Sequence, residues 1–231
     1  MNKKICFSIC VVFLFLTLCS CKNNAEKKTY DDVTVNAQSE TNPTSEIKQS
    51  EEKTSMFNGD SRIIEVSALK GTICIPNDYY VFGDDYEYTD QMCNSIGLDS
   101  EKMSLKISSL QGQTLLVPAN VQYNGNNAIY IKVKDKKYED ITLSDLTQVE
   151  FDLLVSTIVK SFGTSEYSVV EGNGLRYFVF SANQGLGNVT RYATILNGHM
   201  VYIYWSTGEN TITQEQQSIL ENIALSVKHG L

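Results

Sequence analysis

Cys21 is the residue whose neighbours most clearly favour a chemical reaction. It follows an apolar run over residues 5–18, and Lys3 and Lys4 place positive charge ahead of that run. This arrangement is typical of a signal peptide, and the run is too short to cross a bilayer comfortably as a helix. Ser20 is small, so the extended backbone before Cys21 fits a signal peptidase. We therefore expect cleavage before Cys21, whose thiol is a suitable nucleophile for attachment of a lipid.

The residues at the end of this run, Leu18, Cys19, Ser20 and Cys21, resemble the lipobox of bacterial lipoproteins. The resemblance implies transfer of a diacylglycerol group to the Cys21 thiol, acylation by a fatty acid such as palmitate, and removal of residues 1–20. Two acyl chains anchor a protein stably, at about 0.8 kcal/mol for each buried methylene. We therefore expect a lipid-anchored protein on the extracytoplasmic face of the bacterial cell membrane. Two alternatives stay open: an ordinary secretory signal with incidental cysteines, and a short membrane anchor that is never cut.

Residues 21–60 carry the lipidated cysteine and a polar segment. Asn, Ser, Thr, Lys and Glu dominate this segment, and its few apolar residues show no periodicity. Such a chain cannot bury enough apolar surface to offset the entropy that it loses on ordering. We predict a disordered tether here, followed by a single globular domain over residues 61–231.

The net charge of −8 argues against a nucleic-acid partner. Loss of Lys3 and Lys4 with the signal peptide makes the mature chain more acidic still. A negative field repels phosphates and anionic headgroups. The densest basic run, over residues 132–137, is interpreted as the solvated face and turn of a strand.

Few residues of the predicted domain have the types and spacing that catalysis or metal binding requires. The two histidines, His199 and His229, are isolated, whereas zinc is usually held by three or four clustered ligands. The carboxylates among residues 84–90 match no EF-hand loop, although calcium binding there stays an alternative. We predict no catalytic residue, no metal site and no cofactor.

Cys74 and Cys93 are the thiols that remain in the domain. An extracytoplasmic setting permits a disulfide between them, which would contribute about 3 kcal/mol in the chain-entropy model. The alternative is that both are buried small apolar residues. Spacing along the chain does not decide between the two, because a disulfide needs specific geometry.

An aromatic and acidic segment is the feature that most favours a binding function. Some of its rings must lie in the core, but five rings beside several carboxylates also suit a surface that holds a partner protein or glycan. The residues of this predicted binding patch are Tyr79, Tyr80, Phe82, Asp84, Asp85, Tyr86 and Tyr88.

Strand and turn signals come in groups along the domain. An alternating run over residues 63–68 turns back into residues 72–75, which predicts an opening hairpin. Residues 124–127, Asn-Gly-Asn-Asn, and the pair Asn197-Gly198 predict two further hairpins, because Asn and Gly accept a positive φ at low cost.

Helix signals lie between these groups of strands. Thr89 and Asp99 can cap two short helices, and Thr213 with Gln216 forms a capping box before the last helix. A longer helix is predicted from Ser144 to Phe162, packed on the sheet through an apolar stripe. That stripe is Leu146, Val149, Leu153, Leu154, Ile158 and Phe162. Strands and helices in blocks predict an α+β fold with an antiparallel β-sheet flanked by helices.

The carboxy-terminal half of the chain, from about Asp140, resembles the PsbP-like (Mog-one/PsbP-type) fold. The residues that carry the resemblance are the hairpin over 192–204 and the last helix ending at residues 223–228. Residues 73–76 followed by aromatic residues also resemble the start of such domains. This fold is shared by the photosystem II extrinsic subunit and a eukaryotic Ran-binding regulator. The resemblance implies an α/β/α sandwich; no catalytic residue travels with it, so it implies little about activity.

Three functions stay open from the sequence. The leading hypothesis is a non-enzymatic module of the cell envelope that binds a protein, glycan or other ligand while its lipid holds the membrane. The first alternative is an envelope hydrolase or wall-modifying enzyme that uses carboxylates such as Asp84 and Asp90. The second alternative is a carrier of Ca²⁺ or a small ligand.

Overall fold

The computed structural model describes residues 60–183, 188–208 and 211–229. The predicted signal peptide, the lipobox and nearly all of the predicted tether lie outside these residues. The strands are β1 (Ser61–Val66), β2 (Gly71–Pro76), β3 (Tyr79–Phe82), β4 (Thr114–Pro118), β5 (Ala128–Lys136), β6 (Ser168–Gly172), β7 (Leu175–Asn183), β8 (Asn188–Leu196), β9 (His199–Ser206) and β10 (Lys228–His229). The helices are α1 (Asp90–Ser95), α2 (Ser100–Leu110), α3 (Gln148–Ser161) and α4 (Gln214–Leu225).

The strands form two antiparallel sheets. A seven-stranded sheet has the order β3-β4-β5-β9-β8-β7-β6, and a three-stranded sheet has the order β1-β2-β10. Every pair of neighbouring strands in the large sheet is antiparallel. The predicted α+β class, with an antiparallel sheet flanked by helices, is confirmed.

Alternation along β9 divides the core between the two faces of the large sheet. Val201, Ile203 and Trp205 lie on the face that packs against the small sheet and α4, and we call it the Trp205 face. Tyr202 and Tyr204 lie on the opposite face, which we call the Tyr204 face. There α1 and α2 pack over β3, β4 and β5, whereas α3 packs over β7 and β8. Helices and the small sheet therefore sandwich the large sheet.

The predicted turns and caps are largely those of the structure. β1 and β2 pair as a hairpin, and Asn197 and Gly198 both have positive φ between β8 and β9. Thr213 accepts a hydrogen bond from the Gln216 amide while the Gln216 side chain accepts one from the Thr213 amide, so the predicted capping box is present. Thr89 and Asp99 likewise cap α1 and α2.

The start of the longest helix was predicted wrongly. α3 begins at Gln148, because Thr147 caps it together with Glu150 in a capping box. Ser144 lies in a short 3₁₀ turn before the helix, and its hydroxyl accepts a hydrogen bond from the Arg176 amide.

The predicted apolar stripe of α3 is also partly wrong. Val149 and Leu153 are 79% and 53% exposed, whereas Phe151 and Val155 are fully buried. The helix therefore faces the sheet through a stripe rotated from the predicted one, and Ile158 belongs to both.

The end of the chain closes the Trp205 face. The Ser226 hydroxyl, just after α4, accepts a hydrogen bond from the Cys74 amide of β2 at 2.8 Å. Beside it β10 pairs with β2 at Gly71, where an added Cβ would lie 2.2 Å from the Lys228 carbonyl oxygen. Only glycine allows so close an approach, so Gly71 lets the last strand dock.

Candidate ligand-binding cleft

The seven residues of the predicted binding patch do not form one surface. Tyr79 is buried on the Trp205 face, whereas Phe82 is buried on the Tyr204 face. The rings of Tyr80 and Tyr88 lie 6.4 and 6.0 Å from the Phe82 ring, so they belong largely to the second core. Tyr86 is half-buried against the first core, and its hydroxyl donates a hydrogen bond to the Glu65 carbonyl. Most of these rings therefore support the fold.

The carboxylates of the same segment lie at the surface. Asp84 and Asp85 are exposed in the connection after β3, and Asp90 accepts a hydrogen bond from the Ser100 hydroxyl. Across residues 60–183, 188–208 and 211–229, no three His, Cys, Asp or Glu side chains form a group that could hold a metal ion.

Cys74 and Cys93 are both free thiols. Cys74 is in the small sheet, whereas Cys93 is in α1, buried under the Tyr204 face. The large sheet lies between the two elements, so the disulfide that the predicted setting permits is not formed. Burial raises the pKa of the Cys93 thiol, which keeps it protonated.

A cleft of about 410 Å³ opens next to Tyr79 on the Trp205 face. Its apolar lining consists of Pro76, Tyr79, Pro118, Val121, Trp205 and Ile219. Its polar lining consists of Asp78, Asn127, Glu215 and Gln216. Four parts of the chain that are far apart in sequence thus meet at one place.

Strand ends create this cleft. Pro76 ends β2 and Pro118 ends β4, and a proline cannot donate a hydrogen bond to continue a ladder. Tyr79, the first residue of β3, pairs with Pro118, the last residue of β4, so the pairing of these two strands stops here. The first turn of α4 brings Glu215 over this edge.

Two aromatic rings form the wall of the cleft. The Tyr79 and Trp205 rings meet edge to face, with centroids 6.3 Å apart. Trp205 is 2% exposed, and its Nε1 has no hydrogen-bond partner among the described residues. A buried donor without an acceptor costs about 1–3 kcal/mol. The cleft wall therefore contains a buried donor without an acceptor in the described part of the chain.

Two carboxylates of the cleft act on the Tyr79 hydroxyl. Burial raises the pKa of Tyr79, and the charges of Asp78 and then Glu215 raise it further. Two carboxylates from different elements thus act on one hydroxyl. The ion pairs within the described part of the chain do not include either of them. The guanidinium of Arg62 is close by, but it donates to the carbonyls of Asn77 and Tyr79 at 2.7 and 2.6 Å.

Among the residues of this cleft, only Tyr79 belongs to the binding patch predicted from the sequence. Trp205 is the single tryptophan of the chain, which was a usable signal. Asp78 and Glu215 carried no signal, because each is an ordinary exposed acid until the fold places them at the same ring. Asp84 and Asp90, which the hydrolase hypothesis uses, do not line the cleft.

Comparison with known proteins adds a likeness of fold. No protein-family model and no curated protein matches the chain. The solution structure of cyanobacterial PsbP (CyanoP) from Synechocystis sp. PCC 6803 is similar over 75% of this chain and 95% of that one, with a TM-score of 0.40 and 11% identity. That structure is of a PsbP protein, and the sequence resemblance is to the PsbP-like fold.

None of the helices in the described ranges is long and apolar enough to cross a membrane.

Proposed function

We propose that the protein is a lipid-anchored binding module of the cell envelope, non-enzymatic, which holds a cationic group in the cleft beside Tyr79 and Trp205. The observation that carries this proposal is an aromatic-walled cleft with two carboxylates that have no ion-pair partner among the described residues. The proposed ligand chemistry is a primary amine or guanidinium on an apolar stem. A lysine or arginine side chain of an envelope protein has this chemistry.

Each part of such a ligand has a counterpart in the cleft. The charged head would lie between Asp78 and Glu215, and the stem against the rings of Tyr79 and Trp205. A cation near an aromatic face gains about 0.5–2 kcal/mol, depending on how far it is desolvated. Exposed charge pairs add only about 0–1 kcal/mol each, so the rings and the carboxylates are needed together.

Trp205 fluorescence measures binding directly, since no other tryptophan is present. The probes are Nα-acetyl-lysine amide and its uncharged analogue Nα-acetyl-norleucine amide, titrated into the full chain. We expect a saturable change in emission with the lysine probe and a response at least tenfold weaker with the norleucine probe. Equal responses, or no saturable response to either probe, would contradict a cation site.

A pair of matched variants locates the site. Asp78→Asn with Glu215→Gln removes both carboxylates of the cleft and should abolish the saturable response. Asp145→Asn with Glu166→Gln removes two exposed carboxylates elsewhere and should leave it unchanged. Recovery of the lysine probe in a chemically altered form would instead favour the hydrolase alternative.

The anchor needs a separate test because Cys21 lies outside the described residues. Cells that express the protein are labelled with a palmitate probe, and the wild type is compared with Cys21→Ala. We expect label on the wild type alone. Equal labelling of both would overturn the proposed membrane attachment, without bearing on the cleft.

A further inference from the structure

The Tyr204 face carries a strip of aromatic and charged side chains. The charge of this strip is positive, unlike that of the cleft. We define the Lys132 strip as Lys106, Lys132, Lys134, Tyr202 and Tyr204. Lys132 of β5 pairs directly with Tyr202 of β9, and the next pair along the two strands is Tyr130 with Tyr204. Lys134 follows in β5 where the register with β9 shifts between Val133 and Lys136, and its charge acts on Lys132.

The helices that cover this face leave the strip open. α2 lies at one side, where the Lys106 Nζ is 5.8 and 5.6 Å from the ring centroids of Tyr123 and Tyr130. α3 lies at the other side, where the Phe162 ring at its end is 5.9 Å from the Tyr202 ring. Between them Lys132, Tyr202 and Tyr204 are partly buried and not fully covered. The floor of this gap is a pair of stacked rings, Tyr130 on Tyr204, with centroids 5.3 Å apart and planes 8° from parallel.

The three lysines of the strip form no close ion pair with a carboxylate of the described residues. Within the described residues the ion pairs lie elsewhere, and none of them contains Lys106, Lys132 or Lys134. Burial lowers the pKa of Lys132, and the neighbouring charge of Lys134 lowers it further. The guanidinium carbon of buried Arg191 lies 5.7 Å from the Tyr204 ring centroid.

A partly buried lysine, Lys132, beside an exposed one, Lys134, favours an anion as a ligand of the strip. The protein has a net charge of −8, so a long polyanion is repelled by most of the molecule. A short ligand with one anionic group experiences mainly the local field of the strip. The parts of the Tyr202 and Tyr204 rings that remain exposed suit the C–H face of a sugar, because that face is apolar and flat.

We propose that the Lys132 strip binds an anionic sugar, a saccharide unit that bears a phosphate or a carboxylate. Lys132 and Lys134 hold the anionic group, Lys106 contributes its charge from α2, and the sugar ring lies on Tyr202 and Tyr204. This site is separate from the cleft, since the large sheet lies between them.

Calorimetric titration of the full chain in detergent micelles tests this proposal. The probes are glucose 6-phosphate and glucuronate, with inorganic phosphate and glucose as the separated halves of the ligand. We expect both anionic sugars to bind at least tenfold more tightly than either half. Phosphate that binds as tightly as glucose 6-phosphate would overturn the role of the rings, and no heat from either anionic sugar would overturn the site.

Variants assign the binding to the strip. Lys132→Gln should weaken both anionic sugars at least tenfold, and it removes no buried apolar group. Lys102→Gln is the matched control, because this lysine of α2 pairs with Asp99 outside the strip. Wild-type affinity in Lys132→Gln would contradict the proposal. Tyr204→Leu should weaken the sugars but not phosphate, with its far-UV circular dichroism compared to the wild type.

The two sites have independent readouts. Trp205 lies on the other face of the sheet, so anionic sugars should not alter its emission. Failure of the lysine probe to bind would contradict the cleft but not the Lys132 strip. Failure of the anionic sugars to bind would contradict the strip but not the cleft.

Discussion

The cleft and the Lys132 strip lie on opposite faces of the same strands, and their charges are opposite. Consecutive residues of β9 contribute to both, with Trp205 in the wall of the cleft and Tyr204 in the strip. Both sites use aromatic rings as an apolar surface. They differ in the elements that supply charge: a turn and α4 supply carboxylates to the cleft, whereas β5 and α2 supply lysines to the strip.

This contrast shows how one strand can support two chemically opposite surfaces. The pleat places neighbouring side chains on different faces, so the strand determines where a ring lies. The sign of the charge at each site comes instead from the other elements that border it. The sites should therefore be separable by substitutions, even though their rings are adjacent in sequence.

The two rings should differ most in their effect on stability. Trp205 is fully buried in the core of its face, so Trp205→Ala should lower the free energy of unfolding by about 3–5 kcal/mol. Tyr204 is partly buried, and Tyr204→Ala should cost less, since less apolar surface is lost. Urea unfolding followed by circular dichroism measures both. Equal losses would show that Tyr204 contributes to the core as much as Trp205 does.

Charge reversal should separate the two ligands. Asp78→Lys should weaken the lysine probe at least tenfold, which is about 1.4 kcal/mol, and leave glucuronate binding unchanged. Lys132→Glu should have the reverse effect. The same titrations as above measure both variants. If either substitution altered both affinities equally, the sites would be coupled or one of them would not exist.

Two tyrosine hydroxyls of the Trp205 face differ in their hydrogen bonding, so removing each should have opposite effects on stability. The Tyr177 hydroxyl is fully buried and has no hydrogen-bond partner among the described residues, and its side chain does not line the cleft. Tyr177→Phe should therefore raise the free energy of unfolding by about 1 kcal/mol, because it removes a desolvated hydroxyl. Tyr192→Phe is the matched control. The Tyr192 hydroxyl accepts a hydrogen bond from Gln217, so its loss should lower stability by about 1 kcal/mol.

Thermal unfolding of both variants checks this pair. Destabilisation by Tyr177→Phe would mean that its hydroxyl has a partner after all, such as a buried water. A buried water could then also be the partner of the Trp205 Nε1.

Local features of the fold could be predicted from the sequence because their causes are local. Asn197-Gly198 makes its turn through the positive φ of both residues, and Thr213 with Gln216 caps a helix without help from the rest of the chain. The face of α3 could not be predicted in this way. Apolar residues lie on most sides of that helix, so periodicity alone did not distinguish buried Phe151 from exposed Val149.

The candidate sites depend on contacts between distant parts of the chain. The cleft joins Tyr79 to Trp205 and Glu215, which are more than one hundred residues away along the chain. No local signal specifies that β9 lies beside β5, or that α4 begins over the edge of β3. The aromatic segment was a sound signal for Tyr79, but whether each ring faces a cleft or a core depends on strand register.

The smallest expected effect is a dependence of sugar binding on pH. The pKa of Lys132 is lowered by burial and then by Lys134, and protonated Lys132 holds the anion. Affinity for glucuronate should therefore fall as pH rises through this lowered pKa, at a pH below the ordinary lysine pKa of about 10.4. The other charged or titratable groups of the strip are Lys106, Lys134, Arg191, Tyr202 and Tyr204. Burial raises the pKa of Tyr202 to about 12, so this hydroxyl stays neutral in that range.

Stability should change with pH in the opposite direction to sugar affinity. A lysine whose pKa is lower in the folded than in the unfolded protein costs free energy of folding while it is charged. That cost is relieved as pH rises from the folded pKa towards the unfolded one. Titration of glucuronate from pH 8 to pH 10 should show affinity falling with pH in the wild type, and Lys132→Gln should flatten the profile. A profile equally steep in both proteins would assign the titration to another group and remove Lys132 from the site.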